Sequence, residues 1–320
     1  MAEIGQDIAQ AKAILSKGGL VGIPTETVYG LAGNALNDRA VTSIFQVKNR
    51  PSFDPLIVHV ADMNAAASFV QEIPEPAKRL ADAFWPGPLT LLLKKKSNIS
   101  DLVTSGLDTV AVRVPEHALT RQLLTNLNFP LAAPSANPFG YVSPTKAEHV
   151  EAQLGSRLEY ILDGGACQVG LESTIISFAH DQPKVMRLGG LSVEAIEKVV
   201  GPVEIANHSS SKPAAPGMLK SHYAPKKSIV LKSDFDRSSI ENINEIGALL
   251  YNQYDEYLPK RNQFLLSENS DLNEAAARLF LGLRTLDQHE NINTIITDFV
   301  PNEGLGRAIN DRIKRATAKS

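Results

Sequence analysis

A hydroxyl-rich turn and a basic loop follow each other within residues 20–60. The turn reads PTETVYG and places hydroxyls and a carboxylate directly after a short apolar strand. Open α/β sheets form their ligand crevices at such strand ends. The loop carries Lys48 and Arg50 beside Pro51, a pair that suits phosphate because a guanidinium binds two oxygens while an ammonium acts as a point charge. Solvated loop charges are the alternative reading of an isolated K-x-R.

Further polar side chains lie on a strand and a turn downstream. TVAVRVP alternates with period two, which puts Thr109, Ala111 and Arg113 on one face and the valines on the other. If the valine face is core, Arg113 projects toward whatever covers the sheet; exposure on an edge strand is the alternative. The turn APSANP supplies Ser135 and Asn137, although S-x-N between prolines is also a common structural turn.

Composition limits the class of protein. With 320 residues, 43% of them hydrophobic and 21% charged, the chain is long enough for two domains with their own cores. A formal net charge of -3 argues against a general nucleic-acid-coating surface, so an anion site has to be local. The one cysteine, Cys167, excludes an internal disulfide, and the N-terminal segment lacks the pattern of a signal peptide. We therefore expect a cytoplasmic protein with no apolar run of about 18 residues to span a membrane.

Helical and strand patterns alternate through the first 200 residues. Helices are predicted at residues 4–15, 37–47, 62–70, 74–84, 116–127 and 143–154, with strands at 89–93, 109–115 and 184–188 and around residues 20, 59, 131, 161 and 175. The stretch NHSSSKPAAPG then predicts a linker. Beyond it, strand, helix, strand, strand, helix and strand patterns predict a small parallel α/β domain. The predicted division is 1–205, a linker at 206–227, and 228–320.

Familiar catalytic motifs are absent from the sequence. It contains no G-x-x-x-x-G-K-[ST] loop, no H-E-x-x-H, no G-x-S-x-G and no full G-x-G-x-x-G. The first 190 residues instead offer hydroxyls, amides and the separated cations Lys48, Arg50, Arg113 and Arg187, without an evident nucleophile. Such a set favours positioning a nucleotide and neutralising developing phosphate charge, with magnesium bridging phosphate oxygens.

Ordered motifs along the chain resemble a known family. PTETVYGL, KNRPSFDPLIVHV, TVAVRVP, APSANPFGYVSPT, GLESTI and MRLGG are similar to the YrdC-like domain of threonylcarbamoyl-AMP synthases. PGMLKSHYAP and the tail RLFLGLRTLDQ…GLGRAINDR resemble the long form, which carries a C-terminal domain. The resemblance implies an α/β protein: a YrdC-like twisted mixed sheet with helices around a concave site, and a smaller Rossmann-like parallel α/β domain.

The same resemblance implies a nucleotidyltransferase activity. An L-threonylcarbamoyladenylate synthase condenses L-threonine, bicarbonate and ATP to L-threonylcarbamoyl-AMP, pyrophosphate and water. A downstream transferase then uses the product to form threonylcarbamoyladenosine in tRNA, so tRNA contact is expected to be indirect or transient. Mg²⁺ is expected to arrive mainly on the ATP phosphates. A water-poor pocket would supply both proximity and protection to the unstable carbamate.

Roles for individual residues also follow from the resemblance. Lys48 and Arg50 are the implied catalytic cations. L-Threonine is implied to bind at Thr27, His59, Arg113, Ala133 and Ser173. ATP is implied to bind at Arg50, Asp54, Thr109, Ser135, Asn137, Ser143, Arg187 and Tyr223. Asp54 departs from the family's asparagine, which leaves open whether it contacts nucleotide or a magnesium ion.

The linker is expected to act as a lid. Its prolines stiffen residues 216–225, Gly217 permits a bend, and the family pattern lays Tyr223 over the nucleotide; an inert tether is the alternative.

The sequence also leaves two other functions open for the whole protein. One is an RNA-binding module that uses the same basic crevice without ATP turnover, although only 6% of the residues are aromatic. The other is a carbamoyl-transfer module of the kind found in maturation factors, against which the HYAP linker and tail argue.

Overall fold

The chain forms two compact units. The computed structural model describes residues 1–179, 182–206, 215–218, 223–236 and 241–318. The N-terminal unit consists of Met1–Phe139 and Ser143–Leu219, and the C-terminal unit consists of Gly140–Val142 and Lys220–Ser320. The division thus falls within the predicted linker, most of which, at residues 207–214 and 219–222, lies outside the described residues.

A mixed sheet with helices around it makes up the N-terminal unit. Its strands are β1 (Glu3–Gly5), β2 (Val21–Ile23), β3 (Gly30–Asn34), β4 (Ile57–His59), β5 (Leu89–Lys94), β6 (Thr109–Arg113), β7 (Leu131–Ala132), β8 (Tyr160–Leu162), β9 (Thr174–Ser177), β10 (Lys184–Arg187) and β11 (Glu204–Ile205). Its helices are α1 (Ile8–Ser16), α2 (Asp38–Lys48), α3 (Met63–Ala67), α4 (Glu75–Phe84), α5 (Asp101–Thr104), α6 (Ala118–Asn126), α7 (Ala147–Leu154) and α8 (Val193–Val200). Among the described residues, the strands follow the order β1-β8-β2-β3-β7-β4-β6-β5-β9-β10-β11. Parallel and antiparallel pairs occur together, which confirms the predicted mixed sheet.

The two faces of β6 have different neighbours. Val110 and Val112 belong to the main hydrophobic core, which confirms the predicted valine face. Ala111 points to the opposite face, called here the inner face, where it packs with Ile57 and Leu92 from the neighbouring strands. Side chains alternate across a strand, so this inner face also receives Thr109 and Arg113.

The C-terminal unit is built on a parallel sheet. It contains β12 (Ser228–Leu231), β13 (Ile246–Leu250), β14 (Gln263–Leu265), β15 (Thr294–Thr297), α9 (Leu272–Gln288) and α10 (Gly306–Ala316). The strand order is β12-β15-β13-β14, and every neighbouring pair in the described residues is parallel, as predicted. A Cβ at Gly282 would lie 2.6 Å from Leu249 and 2.7 Å from Phe264, so glycine lets α9 approach the sheet closely.

Two of the predicted helical segments differ clearly from the structure. Residues 4 and 5 were predicted to begin a helix, but Glu3–Gly5 pairs with β8 and the Asp7 side chain caps α1 from Ile8. The helix predicted between β12 and β13 is replaced, where the structure describes it, by 3-10 turns at Lys232–Asp234 and Ile243–Glu245; residues 237–240 lie outside that part. The Asn242 side chain accepts the N–H of Asn244, a local bond that competes with helix formation.

Candidate active site

Lys48 is the last residue of helix α2, and its side chain is buried in the N-terminal unit. Asn37 caps the first turn of this helix, and Asn49 ends it with a left-handed φ of 52°, a conformation that asparagine tolerates. The Lys48 Nζ donates to the carbonyls of Ser135 and Asn137, each at 2.5 Å. Burial, followed by the nearby charge of Arg50, holds the pKa of Lys48 well below its usual value. Lys48 thus joins its own loop to the APSANP turn.

Arg50 is held inside its own loop by Asp54. Its Nε donates to the Asp54 carbonyl at 3.0 Å, and its Nη2 lies 3.0 Å from the Asp54 carboxylate. That carboxylate is fully buried and also accepts the N–H of Gly217 at 3.4 Å. Asp54 therefore connects Arg50 to residues 215–218, the described part of the predicted lid.

Arg113 lies at the centre of a second group of bonds. It donates to the Glu26 carboxylate at 2.5 Å, the Thr27 hydroxyl at 2.9 Å and the Gly87 carbonyl at 3.2 Å. The other Glu26 oxygen accepts the N–H of Glu116 at 3.0 Å. A guanidinium has five N–H groups, and these three bonds leave two of them for a carboxylate ligand. The predicted placement of Arg113 on the inner face is confirmed, although it shares its charge with Glu26.

His59 and Ala133 adjoin Arg113 through the sheet. His59 pairs with Arg113 across β4 and β6. Burial, with a smaller effect from the Arg113 charge, lowers the pKa of His59 to about 3, so the imidazole is neutral at physiological pH. Its buried Nδ1 has no hydrogen-bond partner among the described residues. The N–H of Ala133 donates to the Ile57 carbonyl at 3.0 Å and is therefore already used.

Ser173 and Arg187 form the third group. Arg187 donates to the Ser173 carbonyl at 2.9 Å and to the Ser173 hydroxyl at 3.1 Å. The same hydroxyl lies 2.7 Å from that of Thr90. Another Arg187 nitrogen donates to the carbonyl of Pro216 at 3.4 Å. Residues 215–218 are therefore held by Arg187 on one side and by Asp54 on the other.

Residues 215–218 also cover the apolar floor of the inner face. Ala215 and Met218 pack in one buried cluster with residues of five strands. Those strand residues are Ile57, Leu92, Ala111, Ile175 and Met186. Thr109 and Arg113 lie on β6 at either end of this floor, about 13 Å apart at the usual rise per strand residue. The inner face thus has polar groups at both ends and an apolar middle.

Two loops place the remaining N-terminal residues beside these groups. The Ser143 hydroxyl donates to the Glu172 carboxylate at 2.6 Å. Ser135 pairs with Gly30 in an isolated bridge, and the Tyr29 carbonyl accepts the N–H of Ala136 at 2.8 Å. The PTETVYG turn, the APSANP turn and the GLESTI strand are therefore joined by backbone and side-chain bonds.

Tyr223 is the predicted site residue that belongs to the C-terminal unit, and its contact with the nucleotide stays a prediction. In that unit its ring stacks on Phe280 with centroids 5.5 Å apart. The guanidinium carbons of Arg312 and Arg315 lie 5.3 and 4.7 Å from the ring centroid. The ring is 1% exposed, so its described surroundings are those of an anchor within that unit.

Histidine, cysteine and carboxylate side chains are the protein groups that bind metal ions. Among the described residues no group of three or more His, Cys, Asp or Glu side chains is placed to hold a metal ion. The site carboxylates Glu26, Asp54 and Glu172 each bond to protein donors.

The buried Cys167 has a pKa raised to about 12 by burial, which makes it a poor nucleophile. Within the described ranges, no helix combines the length and apolar character needed to cross a membrane.

Comparison with known proteins gives the family. A family model described as telomere recombination, covering Sua5, YciO and YrdC proteins, matches residues 13–189. A second, described as the C-terminal domain of threonylcarbamoyl-AMP synthase, matches residues 191–318. The threonylcarbamoyl-AMP synthase of Bacillus subtilis is 40% identical over 97% of this chain and 92% of its own length. The chain belongs to the threonylcarbamoyl-AMP synthase family.

Further members of the threonylcarbamoyl-AMP synthase family agree over nearly the whole length. The synthase of Pyrococcus abyssi is 39% identical over 96% of this chain and 93% of its own. The crystal structure of P. abyssi Sua5 complexed with L-threonine superposes with a TM-score of 0.90 at 37% identity, covering 99% of this chain and 97% of that one. The predicted family membership and fold class are confirmed.

The structure adds three polar residues that the sequence analysis did not assign. Glu26 and Glu172 lie inside family motifs, PTET and GLESTI, and their position beside assigned residues was the available signal. Thr90 lies in the apolar strand β5 and gave no signal, because its hydroxyl becomes significant only when β5 pairs with β9 and brings it beside Ser173. This threonylcarbamoyl-AMP synthase family member therefore has two buried carboxylates in its candidate site: Glu26 bonds to Arg113, and Glu172 bonds to Ser143.

Proposed function

We propose that this protein is an L-threonylcarbamoyladenylate synthase, a nucleotidyltransferase that condenses L-threonine, bicarbonate and ATP. The observation that carries the proposal is the arrangement of the inner face. Arg113, with two N–H groups left, lies at one end of β6, and Thr109 lies at the other. An amino acid and a nucleotide fit such a face end to end, with the reacting atoms between them.

The Arg113 end binds threonine in this proposal. A carboxylate accepts the two remaining Arg113 N–H groups, an arrangement that fixes its orientation. Glu26 holds the guanidinium in place from the opposite side. Thr27, the neutral His59 and Ser173, with the backbone at Ala133, surround the rest of the amino acid. A neutral imidazole next to the amino group adds no positive charge, which favours the uncharged amine that carbamate formation needs.

ATP occupies the rest of the inner face in this proposal, from the Thr109 end of β6 across to Arg187 on β10, three strands away from β6. Its polar contacts come from Thr109 and from the KNR, APSANP and MRLGG segments. The individual residues are Arg50, Asp54, Ser135, Asn137, Ser143 and Arg187. Lys48 holds the turn that carries Ser135 and Asn137, so it positions nucleotide contacts as well as adding charge. Mg²⁺ comes with ATP, whose phosphate oxygens are the ligands that this ion prefers, and supplies neutralisation of phosphate charge.

The reaction proceeds in two bond-forming steps. The threonine nitrogen attacks the carbon of bicarbonate, and water leaves, which gives a carbamate. A carbamate oxygen then forms a bond to the α-phosphorus while the bond to the bridging oxygen breaks, and pyrophosphate departs with the electron pair. Cations aligned with the phosphates stabilise the charge that develops. The product passes to a downstream transferase that modifies tRNA, without lasting tRNA contact here.

A lid completes the proposed site. Residues 215–218 are bonded to Arg187 and Asp54, two of the proposed ATP contacts. Nucleotide binding therefore competes with, or reorganises, the bonds that hold this segment. We expect removal of everything after Gly201 to weaken ATP use while the N-terminal unit stays folded.

Pyrophosphate release tests the function. Purified protein is supplied with MgATP, L-threonine and bicarbonate, and each is omitted in turn. We expect release only with the complete mixture, together with a product of the mass of L-threonylcarbamoyl-AMP. Release that ignores threonine would contradict the proposal, and salt-sensitive RNA binding without release would favour the RNA-module alternative.

A further inference from the structure

A short piece of the loop that carries proposed ATP contacts belongs to the C-terminal unit. Gly140–Val142 is part of that unit, whereas Phe139 and Ser143 on either side belong to the N-terminal unit. The loop from Ser135 to Ser143 carries three of the proposed nucleotide contacts. Whatever holds residues 140–142 therefore acts on that loop through the covalent chain.

Helix α9 holds these residues through two buried side chains. The Tyr141 hydroxyl donates to the Asp287 carboxylate at 2.5 Å. Arg284 donates to the carbonyl of Val142 and lies 5.2 Å from the centroid of the Tyr141 ring. Burial lowers the pKa of Arg284 to about 10, which still leaves it charged at neutral pH. Burial and the bond to Asp287 raise the pKa of Tyr141, so its hydroxyl stays a donor.

The same carboxylate also holds the chain that follows the lid. The other Asp287 oxygen accepts the N–H of Lys227 at 3.0 Å. The N–H of Ala224 donates to the carbonyl of Gly140 at 3.1 Å, which ties the HYAP segment to the 140–142 piece directly. One side chain on α9 thus fixes two segments that lead into the proposed nucleotide site.

The neighbours of residues 140–142 transmit that position over a short distance. The N–H of Phe139 donates to the Lys48 carbonyl at 2.8 Å, and Lys48 in turn holds the Asn137 carbonyl. On the other side, the Ser143 hydroxyl is bonded to Glu172. Only residues 138 and 139 separate Gly140–Val142 from Asn137, and Ser143 follows Val142 directly. A shift of this segment therefore moves two proposed nucleotide contacts.

We propose that Tyr141, Arg284 and Asp287 are positioning residues for ATP, and that holding the nucleotide loop is a role of the C-terminal unit. The inference rests on the proposed function for the identity of the ligand. It assigns to α9 a larger effect on nucleotide affinity than on threonine affinity, because the loop from Ser135 to Ser143 carries three nucleotide contacts, whereas the nearest threonine contact, the backbone at Ala133, lies just before that loop.

Calorimetric titration of the full-length chain with MgATP and, separately, with L-threonine tests the inference. Tyr141→Phe deletes one hydroxyl and keeps the ring, and Asp287→Asn weakens the acceptor for both segments. Tyr251→Phe is the matched control, since its hydroxyl also donates one hydrogen bond within the C-terminal unit, in this case to the backbone carbonyl of Ser270 at 2.5 Å. Thermal unfolding of every variant checks that the fold is kept.

We expect Y141F to weaken ATP binding about fivefold, the size of one lost hydrogen bond, and D287N about tenfold. Threonine affinity should stay within about twofold, and Y251F should match the wild type. The double variant should be no weaker than D287N, because both changes remove the same bond. An ATP affinity unchanged in Y141F and D287N, an equal loss for threonine, or the same loss in Y251F would overturn the inference. Wild-type protein that binds ATP but releases no pyrophosphate with threonine would contradict the proposed function alone.

Discussion

Both units bury arginine side chains, and the groups that surround those arginines differ. In the N-terminal unit, Arg113 bonds to a carboxylate, a hydroxyl and a carbonyl, all at its edges, and its plane has no aromatic partner among the described residues. In the C-terminal unit, Arg312 and Arg315 lie over the ring of Tyr223 and share the carboxylate of Asp311.

The two clusters therefore use the guanidinium in different ways. Nε and Nη2 of Arg315 have no hydrogen-bond partner among the described residues, and the Tyr223 ring at 4.7 Å provides the attraction instead. That arrangement anchors a segment of chain. Arg113 uses one N–H of each of its three nitrogens on protein acceptors, with a neutral His59 as its strand neighbour, which leaves two N–H groups for a further carboxylate. In these two clusters, the arginine bonded to a hydroxyl, a carbonyl and a carboxylate is the proposed ligand contact, and the arginines over an aromatic ring are anchors.

The largest expected effect comes from removing the Arg113 charge. Arg113→Met should lower threonine-dependent pyrophosphate release at least about 100-fold, because two charge-assisted hydrogen bonds are lost. Since the variant also leaves Glu26 buried without its cation, R113M combined with E26Q separates the two effects. We expect the double variant to recover thermal stability and to stay inactive. Recovery of activity would mean that Arg113 has only a structural role.

Removing an anchor arginine should affect stability instead. Arg315→Met should lower the free energy of unfolding of the C-terminal unit by about 2 kcal/mol, measured by urea denaturation. Threonine affinity should change less than about twofold. The matched control is Arg278→Met, because Arg278 lies 5.0 Å from the Phe264 ring centroid but keeps a side chain that is 43% exposed. A large loss of threonine affinity in R315M would remove the distinction between the two clusters.

His59 should make the stability of the N-terminal unit depend on pH. Its pKa falls from 6.5 to about 3 on folding, so the unfolded chain binds the extra proton between these values. The stabilisation present above pH 6.5 is therefore lost as the pH falls toward 3. Between pH 7 and pH 5 the wild type should lose about 2 kcal/mol more than His59→Gln. Parallel denaturation profiles of the two proteins would show that the imidazole protonates freely in the folded state.

The smallest effect is expected at Asp54. Asp54→Asn keeps an oxygen for the Gly217 N–H and loses the ion pair with Arg50, so the KM for ATP should change by about twofold or less. Asp54→Ala removes both contacts and should raise that KM about tenfold. If D54N is as impaired as D54A, the negative charge itself is required, which would favour a magnesium contact over loop positioning.

Periodicity and motif order predicted much of this molecule for physical reasons. The period-two pattern placed Arg113 on the face opposite the valines because alternation along a strand is geometric. The predicted helix at residues 37–47 matches α2, which begins where the Asn37 side chain satisfies the first free N–H groups of the helix. Pairings between distant strands have no such local signal, so the role of Thr90 became visible only in the folded chain.

Tyr223 shows where sequence reasoning stops. Its place in the HYAP motif predicts a ring over the nucleotide, which stays a prediction, but did not indicate that the ring packs against Phe280 and two arginines about 90 residues away in sequence. Long-range cation–π contacts leave no pattern around the tyrosine itself. The sequence likewise did not predict that Gly140–Val142 belongs to the C-terminal unit, because the contacts that place it there come from residues far away along the chain.

The most direct test of the central claim is a pair of titrations, with L-threonine and with MgATP, on Arg113→Met and Arg187→Met. An inner face with separate threonine and nucleotide ends predicts that R113M loses threonine binding and keeps ATP affinity within about threefold. R187M should lose ATP affinity about tenfold or more and lose much less threonine affinity than R113M, because Arg187 reaches threonine only through Ser173. If both variants lose both ligands equally, or if neither loses either, the two-ended site is wrong.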